Sequence, residues 1–191
     1  MIAAIILRIL IISVIYAHSR GKEKQTLSRQ LFDHSTFMAP INMFMTAFSS
    51  LPARQPFFET ERFPELNKLT ENWEVIREEA LRLQDHIKAA QNHNDAGFNT
   101  FFKRGWKRFY LKWYADAHPS AQTLCPVTTQ LVSEIPSVKA AMFAELPAGA
   151  KLGKHRDPYA GSVRYHLGLV TTNDDRCFIE VAPQPLRLRE G

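Results

Sequence analysis

His155 and Asp157 stand two positions apart in the segment 154–170, which reads KHRDPYAGSVRYHLGLV. On an extended chain, side chains two apart point to the same face. An imidazole and a carboxylate presented together supply two of the three ligands of a facial triad, the two-His, one-carboxylate set that holds non-haem Fe(II) and leaves positions open for co-substrate and oxygen. Arg164, His166 and Gly168 follow on one face of an alternating run, with Val163, Tyr165, Leu167 and Leu169 on the other. Arg164 offers a planar fork of donors suited to the carboxylate of an organic acid. A plainer reading makes His155 a surface turn residue and Asp157 a cap, and His-x-Asp alone does not separate the two. The Arg-x-His run that follows favours the site.

Several elements must position these residues. The alternation over 163–170 predicts a strand, and 138–146 predicts another that ends at Pro147-Ala148-Gly149, a turn signal. A polar turn at 171–176 leads to a strand over 177–181, where Pro183 and Pro185 weaken any continuation. Upstream, Leu66, Leu69, Trp73, Ile76, Ala80, Leu83 and Ile87 recur at spacings of three and four, predicting one helix over 64–86 with its apolar stripe on a sheet. His86 and His93 fall in a polar end and read as solvated. A second helix is expected over 121–135, with Thr123 as N-cap, Pro126 in its first turn, and Val127, Leu131 and Ile135 facing the core. Helices first and strands after them make the class α+β.

Residues 1–17 are almost wholly apolar, interrupted by Arg8, and are followed by His18, Arg20, Lys22 and Lys24. The run is a little short of the ~20 residues that cross a bilayer. It is read as a transmembrane anchor over 1–20, its basic flank placing the rest of the chain in the cytoplasm. Residues 36–51 form a second apolar run whose Pro40 and Asn42 argue against a membrane span; it reads as an amphipathic or interfacial segment, with a helix packed on the domain fitting nearly as well, so 21–60 is read as interfacial and connecting, and 61–191 as the main domain. Residues 99–114 mix Lys103, Arg104, Lys107, Arg108 and Lys112 with seven aromatic residues. That mixture suits stacking on single-stranded nucleic acid, a membrane interface or a cationic sheet edge. Beside an apolar N-terminus, lipid headgroups outrank nucleic acid. A formal charge of +5 likewise favours an anionic partner. Two cysteines in 191 residues make no disulfide framework.

The segments Pro147-Ala148-Gly149, His155-Arg156-Asp157-Pro158 and Arg164-Tyr165-His166-Leu167-Gly168-Leu169 resemble the core of the aspartyl/asparaginyl β-hydroxylase family. The likeness is stronger to its bacterial lipid A 2-hydroxylase branch. There it extends through Phe32-Asp33-His34-Ser35, Asn72-Trp73-Glu74-Val75-Ile76-Arg77, Gly97-Phe98-Asn99 and the run from Gly105 to Tyr114. The resemblance implies a double-stranded β-helix, or jelly roll, with flanking helices. It implies Fe(II) and 2-oxoglutarate as cofactors, with His155 and Asp157 as metal ligands and Arg164 and His166 binding 2-oxoglutarate. It implies hydroxylation of C2 of a secondary acyl chain of lipid A, at the cytoplasmic side of a bacterial inner membrane, with no nucleic-acid partner. The family's distal His ligand and later cofactor-binding Arg have no matching positions before Gly191. The barrel is therefore expected to be truncated at its C-terminal side. Alternatives are hydroxylation of Asp or Asn side chains in a peptide, and an inactive, membrane-associated binding protein. A kinase is excluded, because Ser162 stands where the His-Arg-Asp loop needs Asn and no Gly-rich loop or Asp-Phe-Gly occurs. A zinc hydrolase lacks its His-Glu-x-x-His.

Overall fold

The computed structural model describes residues 1–20, 26, 28, 30, 33–52, 55–83, 88–89, 107–114, 116–153, 155–157, 159–182 and 184–191. The chain divides into two compact units. One comprises 1–57, 154–165 and 180–184; the other comprises 58–153, 166–179 and 185–191.

In the first unit, α1 (Ile2–Arg20) is followed by α2 (His34–Phe37) and α3 (Ala39–Phe48). Asp33 caps α2 by accepting from the Ser35 N–H at 2.8 Å, satisfying one of the donors a helix start leaves open. Pro40 sits in the first turn of α3, where its missing N–H costs nothing. α1 packs against α3, and the Tyr16 and Thr46 hydroxyls share a hydrogen bond of 3.2 Å. The residues of this pair with no exposed surface, Ser13 and Ala39, are both small. Among the described residues no helix is long and apolar enough to cross a membrane. This corrects the spanning anchor expected over 1–20. The 17-residue apolar run would be only about 26 Å long as a helix, against a hydrocarbon core of about 30 Å, and Arg8 interrupts it.

In the second unit the single helix expected over 64–86 is interrupted. A 3-10 turn at Pro64–Leu66 leads into α4 (Asn67–Glu71), and α5 (Trp73–Arg82) follows. Asn72, at φ −112°, separates α4 from α5, and its side-chain amide donates to the Lys68 carbonyl at 2.8 Å. Such a local side-chain bond competes with the helix ladder. The apolar stripe survives the break, since Leu69, Ile76 and Leu83 are buried. His86 and Ile87 lie outside the described residues, as does His93.

β2 (Lys107–Trp113) is the centre of a four-stranded sheet. It pairs antiparallel with β1 (Lys88–Ala89), β3 (Asp116–Ala117) and β4 (Ala140–Glu145). The described part of the basic, aromatic run, for which a cationic sheet edge is one of three readings, is therefore an inner strand, and its Arg108 and Lys112 are buried. Tyr110 pairs with Met142 and Lys112 with Ala141, so Leu111 is a bulged residue opposite nothing. The bulge breaks the alternation of faces and lets Leu111 and Lys112 both lie inward. Residues 99–106 are outside the described part.

The helix expected over 121–135 is two helices, α6 (Pro119–Leu124) and α7 (Pro126–Ser133). Pro126 forces the break, because a residue before proline is pushed out of the helical region; Cys125 has φ −137° and ψ 60°. Thr123 is inside α6 rather than at its cap. Leu131 and Ile135 are buried as expected, while Val127 is 42% exposed.

β4 ends at the Pro147 turn, closed by the Ala150 N–H donating to the Pro147 carbonyl at 2.9 Å. Gly149 takes φ +73°, the left-handed value that the third position of a type II turn demands. Residues 163–170 make no strand; their one bridge joins Gly168 to Glu190 in parallel. A Cβ at Gly168 would overlap the Arg189 carbonyl, so this close approach requires glycine. β5 (Phe178–Val181) and β6 (Gln184–Arg187) pair as a two-stranded sheet, and among the described residues β6 is an edge strand, where Pro185 is tolerated. The architecture is mixed helix and antiparallel sheet, as the sequence predicts. A four-stranded and a two-stranded sheet do not close into the expected jelly roll among the described residues.

Candidate functional site

His155, Asp157 and Arg164 come together in the first unit, on the 154–165 segment. The Arg164 guanidinium grips Asp157 with both arms: Nε donates to Oδ2 at 2.7 Å and Nη2 to Oδ1 at 2.9 Å. The His155 imidazole lies on the same carboxylate, Nε2 to Oδ1 at 3.9 Å. The spacing of two thus puts both side chains on one side, as extended backbone dictates. His166 belongs to the other unit.

The loop is held by three residues from the segment 30–42. His34 Nε2 donates to the Arg156 carbonyl at 2.7 Å. Arg156 Nη1 donates to the Gln30 side-chain oxygen at 3.1 Å, and the amide of the buried Gln30 donates to Thr36 Oγ1 at 2.8 Å. Asn42 Oδ1 accepts from the Ala160 backbone N–H at 2.8 Å. These bonds fix the backbone on both sides of Asp157. Sequence reasoning assigned none of the three a role, and only the resemblance through Phe32-Asp33-His34-Ser35 marked the region.

Chemically, the cluster is a carboxylate neutralised by a guanidinium with a part-exposed imidazole beside it. Two tests bear on whether it fits a metal. The donor set holds one imidazole and one carboxylate, and among the described residues no group of three or more His, Cys, Asp or Glu is placed to share an ion. Both Asp157 oxygens are already engaged by Arg164. As arranged, these residues supply two of the three protein ligands that Fe(II) takes in the triad, with the carboxylate bonded to Arg164. Away from this cluster, His118 Nδ1 shares a hydrogen bond with Ser120 Oγ at 2.8 Å at the start of α6, and Glu180 lies on β5.

A second polar cluster, in the other unit, is structural. Glu79, 5% exposed, accepts from Val127 N–H at 3.0 Å, Thr128 N–H at 2.8 Å and Thr128 Oγ1 at 2.6 Å. It is the N-terminal cap of α7, supplied from α5. Burial, with Glu79 nearby, pushes the Cys125 thiol up to about 12.

Residues 70–191 match the family described as Aspartyl/Asparaginyl beta-hydroxylase. The chain is 29% identical over 140 residues to the ornithine lipid ester-linked acyl 2-hydroxylase of Rhizobium tropici, covering 71% of this chain and 50% of that protein. The chain thus spans about half the length of this curated relative. No solved structure matches significantly.

Proposed function

Since the chain belongs to the aspartyl/asparaginyl β-hydroxylase family, we propose that it is part of an enzyme that hydroxylates C2 of an acyl chain on an amphipathic membrane lipid, with Fe(II) and 2-oxoglutarate as cofactors. Bound together, these cofactors supply oxygen insertion into an unactivated C–H bond. The observation that carries the reading is the convergence of His155, Asp157 and Arg164 on one braced loop, in a chain whose relative acts on a lipid acyl chain. In this reading His155 and Asp157 contribute to the metal site, completed by a ligand from outside the described residues. Arg164 and His166 bind 2-oxoglutarate. Arg164 can serve only if it exchanges Asp157 for the cofactor's carboxylate. A secondary acyl chain of lipid A is the first substrate to try and ornithine lipid the second. The basic flank after the apolar run suits an anionic lipid surface, and we place the protein on the cytoplasmic face of a bacterial inner membrane.

The test is a chain extended by the part of the Rhizobium relative that the match leaves uncovered, given each lipid with Fe(II) and 2-oxoglutarate. Mass spectrometry should find one oxygen added at C2, with succinate released in step, and His155→Ala should abolish both. Hydroxylation of an Asp- or Asn-containing peptide and of no lipid would move the substrate to the family's other class. The two-donor cluster favours a second reading, a binding protein without turnover. Lipid binding by the extended chain with no succinate release would support it.

A further inference from the structure

Asp157 holds Arg164 as a bound ligand would. Nε and Nη2 of the guanidinium reach separate carboxylate oxygens, at 2.7 and 2.9 Å. That fork is the geometry in which arginine takes the carboxylate of an organic acid. A side chain of the same loop, seven residues upstream, thus fills the donor edge that an anionic small molecule would use. The pair is also able to open. The Asp157 and Arg164 side chains are 41 and 53% exposed, and so wet an ion pair favours its closed form by no more than about fivefold. The backbone does not depend on it. His34 holds the Arg156 carbonyl at 2.7 Å, and Asn42 Oδ1 holds the Ala160 N–H at 2.8 Å. Parting Asp157 from Arg164 is therefore a side-chain rotation on a braced loop.

His155 points to what would open it. Its Nε2 lies 3.9 Å from Asp157 Oδ1, the oxygen that Arg164 Nη2 binds. A cation held between that imidazole and that carboxylate competes with the guanidinium for the same oxygen. We infer that Asp157 is an internal occupant of the Arg164 anion site, closing it in the empty chain, and that a divalent cation drawn to His155 and Asp157 releases Arg164 for a dicarboxylate. The inference rests on the function proposed above and adds a coupling between its two ligands that needs no contact between them. By linkage the coupling is reciprocal, so the dicarboxylate also frees Asp157 for the cation. Until the cation is in place, Arg164 does not collect bystander organic acids.

The first test uses the 191-residue chain without metal, at low salt. Glutarate is titrated while NMR follows the Arg164 Nε–H and the neighbouring loop amides. Glutarate carries two carboxylates and lacks the oxo group with which 2-oxoglutarate could chelate a cation. Asp157→Ala should bring the titration midpoint to a concentration roughly five- to tenfold lower, since it removes both the occupant and its repulsion of an incoming anion. Asp157→Asn, which keeps the side chain's shape, should move it the same way. Arg164→Ala beside either change should abolish the response of the loop amides. A midpoint unmoved or raised in both variants, or a gain that persists without Arg164, would overturn the inference. The second test is calorimetry on the extended enzyme. Mn(II) should tighten glutarate binding by a similar factor, and Arg164→Ala should remove that effect while tightening Mn(II) itself about fivefold. Coupling that survives Arg164→Ala would assign it to direct contact between the ligands and defeat the proposal. A gain in the 191-residue chain beside an extended enzyme that releases no succinate would discard the function and leave Asp157 in the anion site. Succinate release beside no gain would do the opposite.

Discussion

At the scale of residues, the Asp157–Arg164 pair is the point at which structure and proposed chemistry meet. Its two partners are about half exposed, so the pair itself is worth only about 0–1 kcal/mol of stability. Arg164→Ala should accordingly leave the melting temperature of the chain nearly unchanged. In the extended enzyme it should weaken 2-oxoglutarate binding by about 10- to 100-fold, the worth of a charge-assisted hydrogen-bonded contact of roughly 1.5–3 kcal/mol. Calorimetry reading unchanged affinity would move the anion site elsewhere. The two thiols make a second contrast. Cys125 is fully buried with its thiol pushed up to about 12, while Cys177 is half-buried. A thiol held protonated is a poor nucleophile. Iodoacetamide at pH 8 should therefore label Cys177 and spare Cys125 until denaturant is added, which mass spectrometry resolves by peptide.

At the scale of elements, Glu79 decides how α5 and α7 meet. Three donors at the start of α7 converge on one buried carboxylate, where the helix dipole also favours negative charge. Replacing it with alanine strands two backbone N–H groups and a hydroxyl. Glu79→Ala should cost about 2–4 kcal/mol, measured by urea unfolding followed by circular dichroism. Glu79→Gln should cost less, because an amide oxygen still accepts. Equal loss in both variants would mean that charge, rather than the bonds, holds the junction. The paired helices α4–α5 and α6–α7 share a lesson about breaks. Asn72 and Cys125-Pro126 interrupt two amphipathic patterns whose apolar periodicity runs on almost undisturbed, so the stripes predict the buried face well and the element ends poorly.

At the scale of the whole molecule, charge sets the response to pH. Side-chain bonds from Arg176, a backbone bond and Thr172 hold Asp174 well below the usual carboxylate range. Bonds from Arg189 and Arg187 lower Asp175, and the Thr171 N–H and Asn173 lower Glu190. A carboxylate whose folded pKa is depressed stabilises the fold fully above its unfolded value of about 4 and loses that contribution as pH falls through the folded value. Residues 171–191 should then gain protease sensitivity as pH drops below about 4. Asp175→Asn should bring the gain on at neutral pH, and added salt should blunt the difference because the groups are exposed. Proteolysis profiles that do not change between pH 6 and pH 3, a window that spans the ordinary carboxylate value of about 4, would remove the cluster from the account. The 191-residue chain, with two placed metal donors, should show no saturable Fe(II) or Co(II) binding and no 2-oxoglutarate turnover by itself.

Residue types and their spacing were enough to draw His155 and Asp157 to one side of the chain, because extended backbone alternates whatever packs around it. They also marked Leu69, Ile76, Leu83, Leu131 and Ile135 as buried, the strand within 138–146, and the turn at Gly149. Each of these is a local property, written in a period of two, a period near 3.6, or a residue that alone tolerates a backbone angle. The remainder depended on partners distant in sequence. Alternation at 163–170 made no strand, since a ladder needs a paired neighbour along its length and, among the described residues, the run forms a bridge at Gly168 alone. The basic, aromatic run became an inner strand because β1, β3 and β4 gather around it, and a bulge at Leu111 turned Lys112 inward. Gln30, His34 and Asn42 acquired a role only when folding carried the loop more than a hundred residues back to them. Nothing in a pattern of hydrophobicity specifies which distant carbonyl, amide or guanidinium a polar side chain will meet.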